Sequence, residues 1–330
     1  DVLGSRGLGD VYKRQIQSII MSVALIVVLI FGVETAGGIG AVIHNASELP
    51  GYLSMTLSYD VNTGNAAPYS ALTIVSTAAW GLGYFGMPHI LLRFMAIEDE
   101  KKLKLSRRVA TIWVVISLFV AVFIGVIGYT MSKVGALEML TGSNSETIIV
   151  KISALLSQHG VIFALLAGVI LAGILASTMS TSDSQLLAAS SAVSSDILGA
   201  FRKDSSNKNG SMAAARITLL VISVVAAFIA RNPDSSVFAI VSFAWAGFGA
   251  AFGPVVLFSL FWKRTNKWGA LAGMVCGGSM VFIWKYLIRP LGGIWNIYEL
   301  LPAFLIACAA IVIVSLLTPK PSKEIEEEFD

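Results

Sequence analysis

The sequence predicts an all-α membrane protein with about eight transmembrane helices, and three observations support this fold class. Apolar residues make up 56% of the 330 residues and charged residues only 13%, whereas a soluble domain carries about a quarter charged residues. Eight weakly polar runs approach or exceed the length that crosses the roughly 30 Å hydrocarbon core as a helix. Lysine and arginine are concentrated in alternate loops between these runs.

The eight predicted spans occupy most of the chain. They cover residues 16–33, 69–97, 109–132, 161–182, 217–230, 237–262, 268–288 and 299–317. The fifth is short and is expected to borrow residues from its flanks. The opening residues 1–15 show neither a signal-peptide core nor a spanning pattern, so they are interpreted as a non-native leader. Residues 16–317 would then be a partial transmembrane domain, followed by a cytoplasmic tail at 318–330.

Basic residues predict the orientation of the spans, because lysine and arginine in short loops tend to stay in the cytoplasm. The loops after the second, fourth, sixth and eighth spans hold fourteen of them, and the opposite side holds four. Both ends of the eight-span body are therefore expected inside. The net charge of +3 follows from this topology and does not indicate a nucleic-acid partner.

Nothing in the sequence indicates an enzyme. Cys276 and Cys308 both fall inside spans, with no histidine or cysteine at metal-ligand spacing. The three histidines are scattered, so no nucleophile, base and orienting group can be assembled. The segment "GGIG" at residues 37–40 is not preceded by a strand, which argues against a nucleotide-binding loop.

The second span contains "WGLGYFGMPHI", which predicts a broken helix. Pro88 cannot donate to the carbonyl of Tyr84, and the three nearby glycines tolerate non-helical angles. Unpaired backbone at mid-membrane is tolerated where it faces protein or a watery cavity, as in transporter binding sites. Trp80 and Tyr84 are four residues apart and are expected to share one face of the first half-helix. The alternative is a simple proline kink with aromatic residues at the membrane interface.

The fourth span ends in "LASTMSTSDSQLL", which is rich in hydroxyl groups. A helical serine or threonine hydroxyl leans back toward the carbonyls three and four residues earlier, so Ser180 and Thr181 both direct an oxygen toward the carbonyl of Ser177. Three converging oxygens suit a hard monovalent cation. The alternative is that these hydroxyls bond only their own helix, beside a face of small residues that packs closely. Asp183 is expected at a solvated end of the span.

Three long motifs together resemble the sodium/solute symporter family, most closely its proline-transporting members. They are "WGLGYFGMPHILLRFMA" from Trp80, "ILASTMSTSDSQLLAASSAVSSDI" from Ile174 and "SFAWAGFGAAFGPVVLFSLFW" from Ser242. The resemblance implies a five-plus-five inverted-repeat transporter fold, shared with the neurotransmitter/sodium symporters. By that likeness the first span is the last helix of the first half, the second to sixth spans form the second half, and the last two are peripheral.

The resemblance also implies the residues of two binding sites. The family's sodium site uses the hydroxyls that match Ser180 and Thr181 and the carbonyl that matches Ser177. Its remaining ligands come from a first core helix that this chain is not expected to contain.

For the substrate, the resemblance implies that Trp80, Tyr84 and Pro88 line a proline pocket. Met87 departs from the glutamine that the family's proline symporters carry at its position, which puts the identity of the amino acid in doubt. In the third motif, "SFAWAGFGAAFGPVVLF", glycines beside a proline favour close helix packing over ligand contact.

The function implied is import of L-proline together with sodium across a bacterial cell membrane, by alternating access and without an organic cofactor. Other solutes of the family, such as pantothenate, a sugar or a carboxylate, remain open. A transporter-like sensor module and a passive channel are two further alternatives. Oligomeric state is not predicted. Without the upstream helices, the chain by itself is expected to show no sodium-dependent proline uptake.

Overall fold

A computed structural model describes residues 2–60, 63–95, 97, 99–193, 208–231, 236–322 and 325. Within these ranges, the side chains of residues 2–14, 89, 92, 93, 180, 184, 188 and 208–212 are not described. The chain divides into two units, Asp1–Leu53 with Lys104–Ser236 and Ser54–Leu103 with Val237–Asp330. The helices in chain order are α1 (Val2–Thr35), α2 (Ile39–Ser47), α3 (Ala71–Ala79), α4 (Pro88–Met95), α5 (Lys102–Lys133), α6 (Ile148–Ser157), α7 (Val161–Ser191), α8 (Lys208–Ile229), α9 (Val237–Phe261), α10 (Lys267–Ile283) and α11 (Leu300–Leu317).

The first unit is a helical bundle in which α1 packs against α5, α6 and α7. Its buried core consists of aliphatic side chains, among them Val28 of α1, Ile127 of α5 and Ile170 of α7. Small residues allow the helices to approach closely, since a Cβ atom at Gly32 of α1 would lie 2.7 Å from Cγ2 of Ile127. A short 3₁₀ helix, Gly142–Thr147, leads directly into α6.

The second unit begins with a small hairpin of strands β1 (Leu57–Tyr59) and β2 (Ala66–Pro68), which pair antiparallel with Ser58 opposite Ala67. Its core is built by α9, α10 and α11. Three α10 glycines, spaced four apart, form one face that contacts neighbouring elements. Cβ atoms at Gly269, Gly273 and Gly277 would lie 1.9 Å from Ser315 Oγ, 2.4 Å from Ile311 Cγ1 and 2.2 Å from the Ala250 carbonyl oxygen, respectively. This face therefore brings α10 into close contact with both α9 and α11.

The ends of α10 are fixed differently. At its start, Asn266 caps the helix by accepting from the Gly269 N–H at 2.9 Å, and its side-chain amide donates to Thr318 Oγ1 at 2.7 Å. At its other end the helix widens into a π-helical turn, Trp284–Ile288, followed by 3₁₀ turns at Arg289–Leu291 and Gly293–Asn296. Pro290 falls in the first of these turns, where its missing N–H ends regular helix.

Helices occupy all eight predicted spans in the described part of the chain, but their lengths differ. Six are long and apolar enough to cross a membrane: Gln15–Thr35, Lys102–Lys133, Val161–Ser191, Val237–Phe261, Lys267–Leu291 and Leu300–Leu317. The second predicted span is interrupted between α3 and α4. The apolar part of the fifth, Ala213–Ile229, is shorter than these six. The chain is thus a multi-pass membrane protein, and residues 2–14 of the predicted leader lie in α1, ahead of its apolar part.

Candidate functional site

The break predicted in the second span is present, and it separates α3 from α4. Residues Trp80–Gly86 form a 3₁₀ helix, and Met87 then adopts extended angles with φ −84° and ψ 110°. A residue before proline is restricted to such angles, and proline is well suited to the first position of a helix. Accordingly Pro88 begins α4. The result is a true interruption, which excludes the simple proline kink.

The glycines of the break serve close packing. None of Gly81, Gly83 and Gly86 has a positive φ, so the 3₁₀ segment does not use the left-handed backbone angles that glycine tolerates. A Cβ at Gly83 would lie 1.9 Å from Nε1 of Trp245, and one at Gly86 would lie 2.3 Å from the carbonyl oxygen of Phe248. These distances are far below any real carbon contact, so two of the three glycines are required for the approach of α9.

Glycines of α9 lie opposite the glycines of the break and also allow close contact. A Cβ at Gly249 would lie 2.7 Å from Cα of Gly83, and one at Gly253 would lie 3.6 Å from the backbone nitrogen of Gly86. The packing role predicted for the α9 motif is therefore confirmed. Pro254 lies within the same helix and leaves the carbonyl of Ala250 without its helical donor. That carbonyl is the atom that approaches Gly277 of α10.

Aromatic rings surround the break. Trp80 stacks against Phe238, Trp245 and Tyr298 at centroid distances of 5.5, 5.6 and 5.8 Å. The Trp245 indole N–H donates to the Trp80 carbonyl at 3.0 Å. Tyr84 meets Trp245 edge-on, with centroids 4.8 Å apart. Trp80 is therefore held in an aromatic cluster, defined here as Trp80, Tyr84, Phe238, Trp245 and Tyr298.

The predicted common face of Trp80 and Tyr84 is wrong, because it assumes an α-helix. In a 3₁₀ helix with three residues per turn, residues four apart differ in direction by about a third of a turn. Trp245 nevertheless contacts both rings. Tyr84 is 50% exposed and Pro88 is exposed, so both offer surface to a ligand, whereas Trp80 is half-buried.

Trp245 and Tyr298 are members of this site that were not predicted from the sequence. Trp245 lies in the third motif, where it was assigned only to a packing segment. Tyr298 lies in a loop 218 residues after Trp80, and no local pattern predicts that contact. The signal for Trp245 was its position two residues before Gly247, among glycines that pack on the break.

The hydroxyl-rich motif lies on α7, in the first unit. The helix is continuous from Val161 to Ser191, so Ser177 and Thr181 are one turn apart. Thr181 Oγ1 donates to the Ser177 carbonyl at 3.4 Å, and Thr178 Oγ1 donates to the Ile174 carbonyl at 3.0 Å. The side chain of Ser180 lies outside the part of the chain that the structure describes. The bond from Thr181 is longer than a usual O–H···O bond of about 2.5–3.0 Å.

A cavity of about 210 Å³ adjoins this motif, between α1, α6 and α7. Its walls are mostly aliphatic, with Met21 and Val28 from α1 and Ile149 from α6. Ser177 and Thr178 supply its polar side. The hydroxyl motif therefore borders an open space on the Ser177 side of α7.

Other chemistry is sparse among the described residues. They contain no group of three or more His, Cys, Asp or Glu side chains that could hold a metal ion. Cys276 and Cys308 are both free thiols. Asp183, expected at a solvated end, is exposed.

Comparison with known proteins identifies the family. The model of the sodium:solute symporter family matches residues 8–277. An osmoregulated proline transporter of Bacillus subtilis is 37% identical over 308 residues, 93% of this chain and 59% of the relative. A sodium/proline symporter of Haemophilus influenzae is 41% identical over 261 residues, 78% of this chain and 51% of the relative. A high-affinity proline transporter of Bacillus subtilis is 37% identical over 317 residues, 96% of this chain and 62% of the relative.

The chain thus spans about half to three-fifths of the length of these curated relatives. The family match covers the interrupted helix, the hydroxyl motif of α7 and the glycine-rich α9 that packs on the interruption. The chain belongs to the sodium:solute symporter family.

Proposed function

We propose that this chain is the substrate- and sodium-binding part of a secondary transporter that imports L-proline with sodium across the cell membrane. The observation that carries the proposal is the interruption at Trp80–Met87, where exposed Tyr84 and Pro88 lie beside non-α-helical backbone. Freed backbone and half-helix ends can meet the charged groups of an amino acid, while aromatic rings pack against a pyrrolidine. The relatives named as proline transporters support this choice of solute.

Sodium is proposed to bind at Ser177, Ser180 and Thr181. Two oxygens that ligate a hard cation at about 2.4 Å and at right angles lie about 3.4 Å apart. The Thr181 hydroxyl and Ser177 carbonyl oxygens are separated by 3.4 Å, which is too long for a strong hydrogen bond but suits two ligands of one ion. Sodium would serve as the coupling ion, and no organic cofactor is proposed.

The coupling would act through alternating access. Each sodium ion that enters down a 100 mV potential releases about 2.3 kcal/mol, enough for roughly fifty-fold accumulation of the solute. We also propose that residues 69–97 and 217–230 cross the bilayer, giving eight spans within a five-plus-five inverted repeat. The assignments of residues 1–15 as a non-native leader, 16–317 as the transporter domain and 318–330 as a cytoplasmic tail belong to the same proposal.

Uptake by a complete transporter tests the function. Residues 16–330 are joined to the upstream part of the Bacillus subtilis osmoregulated proline transporter, and this fusion is named the chimaera. We expect sodium-dependent uptake of radiolabelled proline that unlabelled proline suppresses and pantothenate, glucose and acetate do not. The intact Bacillus transporter is the positive control for expression. Uptake that another solute suppresses better than proline, or that ignores sodium, contradicts the proposal.

Another solute of the family is the second candidate, and Met87 is the observation that favours it. Its side chain is only 5% exposed, so an apolar thioether occupies a position where the resemblance implies an amide. Replacing Met87 by Gln in the chimaera separates the two. The second candidate is favoured if Met87→Gln lowers the half-saturating proline concentration and if more solutes suppress proline uptake in the parent chimaera than in the variant.

A further inference from the structure

We propose that Tyr298 is a positioning residue of the substrate site, which holds the Trp80 ring in place from the loop between α10 and α11. This inference rests on the proposed function only insofar as Trp80 contacts the substrate. Tyr298 itself is 9% exposed, so it acts through Trp80 and not by ligand contact.

Three contacts fix Tyr298 to three different elements. Its hydroxyl donates to the Ser242 carbonyl of α9 at 2.6 Å. Its backbone N–H donates to Ser76 Oγ of α3 at 3.1 Å. Its ring stacks on Trp80, with centroids 5.8 Å apart and planes at 15°. The residue thus connects the loop to the element before the break and to the helix packed on the break.

The hydroxyl of Tyr298 keeps its proton at any physiological pH. Burial, with a smaller contribution from the nearby Glu299 carboxylate, raises the pKa of Tyr298 above its ordinary range. The group is therefore a permanent donor, and it gives the part-buried Ser242 carbonyl a hydrogen bond in addition to the one within α9. A phenylalanine in its place would leave that carbonyl without this donor.

The residue that follows anchors the loop. Glu299 is 1% exposed, and Arg289 Nη1 donates to its Oε2 at 2.9 Å. Arg289 also donates from Nε to Asn296 Oδ1 at 3.0 Å. A carboxylate so deeply buried requires a paired cation, because removing one partner of a buried pair leaves an uncompensated charge. The pair closes the loop, so that Tyr298 approaches Trp80 from a fixed direction.

The first test measures the Trp80 ring directly, without substrate. The chain is labelled with 5-fluorotryptophan, and the Trp80 signal among the seven tryptophans is assigned with Trp80→Phe. We expect this signal to move and broaden in Tyr298→Leu, and to move less in Tyr298→Phe, which keeps the ring. The matched control is Tyr286→Phe, since Tyr286 is 60% exposed and its ring packs against Phe243, which lies outside the aromatic cluster. A Trp80 signal that is the same in wild type, Tyr298→Phe and Tyr298→Leu overturns the proposal.

The second test is a double-mutant cycle of proline uptake in the chimaera. We expect Tyr298→Leu to raise the half-saturating proline concentration at least about fivefold, with the maximal rate per transporter in the membrane little changed. In the Trp80→Ala background the same change should have no further effect, because the ring that it positions is gone. If Tyr298→Leu raises the half-saturating proline concentration by the same factor with Trp80 and with Ala at position 80, a positioning role is contradicted. Unchanged kinetics in Trp80→Ala alone contradict the substrate role of Trp80, whereas the fluorine signal still decides the Tyr298 contact.

Discussion

At the scale of single residues, Gly83 determines how closely α9 approaches the interrupted helix. A Cβ there would lie 1.9 Å from Trp245 Nε1, the atom that donates to the Trp80 carbonyl. Any side chain at position 83 must therefore displace the indole and break this hydrogen bond. The aromatic cluster therefore requires glycine at position 83, where even the methyl side chain of alanine is too large.

Gly83→Ala is expected to destabilise the chain by about 1–3 kcal/mol, the usual cost of overpacking a filled site. It should also weaken proline uptake by the chimaera, because Trp245 contacts both Trp80 and Tyr84. The matched control is Gly81→Ala, since a Cβ at Gly81 has nothing within 4 Å. Thermal unfolding in detergent measures both variants, and equal melting temperatures would contradict the packing account.

Tyr84 offers the largest ligand surface of the aromatic pair predicted from the sequence, being 50% exposed. Tyr84→Ala in the chimaera is expected to raise the half-saturating proline concentration about tenfold or more, since a buried aromatic contact contributes about 1.5 kcal/mol or more. The exposed Tyr286 provides the control Tyr286→Ala. Normal proline kinetics in Tyr84→Ala, at wild-type membrane levels, would exclude Tyr84 from the pocket.

At the scale of elements, α9 and α10 meet through an unusual backbone contact. Pro254 deprives the Ala250 carbonyl of its helical donor, and that oxygen would lie 2.2 Å from a Cβ at Gly277. Cα–H groups can approach a carbonyl as weak donors, and contacts of this kind recur between helices. The missing side chain at Gly277 is what leaves room for the Ala250 carbonyl against α10.

Gly277→Ala is expected to lower the melting temperature of the chain, because the methyl group and the Ala250 oxygen cannot both be accommodated. Gly278→Ala is the matched control, since its Cβ would lie 3.9 Å from the Ala251 Cβ, an ordinary contact. Alanine is better than glycine in a helix by about 1 kcal/mol, so Gly278→Ala should be neutral or stabilising. Destabilisation of similar size in both variants would show that the Ala250 contact is not the cause.

An ion pair in the first unit joins α2 to the end of α5. Glu48 accepts a hydrogen bond from Lys133, and this bond together with the lysine charge lowers the pKa of the Glu48 carboxyl. A lowered pKa stabilises the folded state above the ordinary carboxyl pKa, and the contribution is lost as the pH falls through the folded value. Glu48→Gln should therefore lower the melting temperature slightly near pH 7, and this difference should vanish as the pH falls through the lowered pKa of the folded-state carboxyl. A difference that persists in about 1 M salt would contradict an exposed ion pair.

The interruption of the second span was predictable from its proline and glycines, because both act on the backbone of their own segment. The 3₁₀ conformation of Trp80–Gly86 was not predictable. The α and 3₁₀ helices differ only in whether each N–H bonds the carbonyl four or three residues earlier, and packing with α9 decides between them. The short helices α2 and α6 were missed because nine or ten residues give too little periodicity. Trp245 and Tyr298 belong to the site through contacts with Trp80, from which they are 165 and 218 residues distant in the chain. No local sequence pattern predicts contacts at such separations.

At the scale of the whole molecule, the distribution of lysine and arginine predicts which loops face the cytoplasm. Met55 is 95% exposed in the loop predicted outside, and Ser106 is exposed in the basic segment predicted inside. Single cysteines at these positions are placed in a background in which Cys276 and Cys308 are replaced by alanine. An impermeant thiol reagent should label Met55→Cys in intact cells and Ser106→Cys only after lysis. The reverse pattern would invert the topology.

The central claim is that the hydroxyl motif of α7 binds the sodium ion that drives proline import. The most direct measurement is proline uptake by the chimaera as a function of sodium concentration, with Thr181→Ala compared with Thr181→Ser. Loss of a hydroxyl ligand to a desolvated cation costs about 1.5–3 kcal/mol, so Thr181→Ala should need roughly tenfold or more sodium for half-maximal uptake. Thr181→Ser keeps the oxygen and should remain close to wild type. A half-maximal sodium concentration that is unchanged in Thr181→Ala, at normal membrane levels, would contradict the claim.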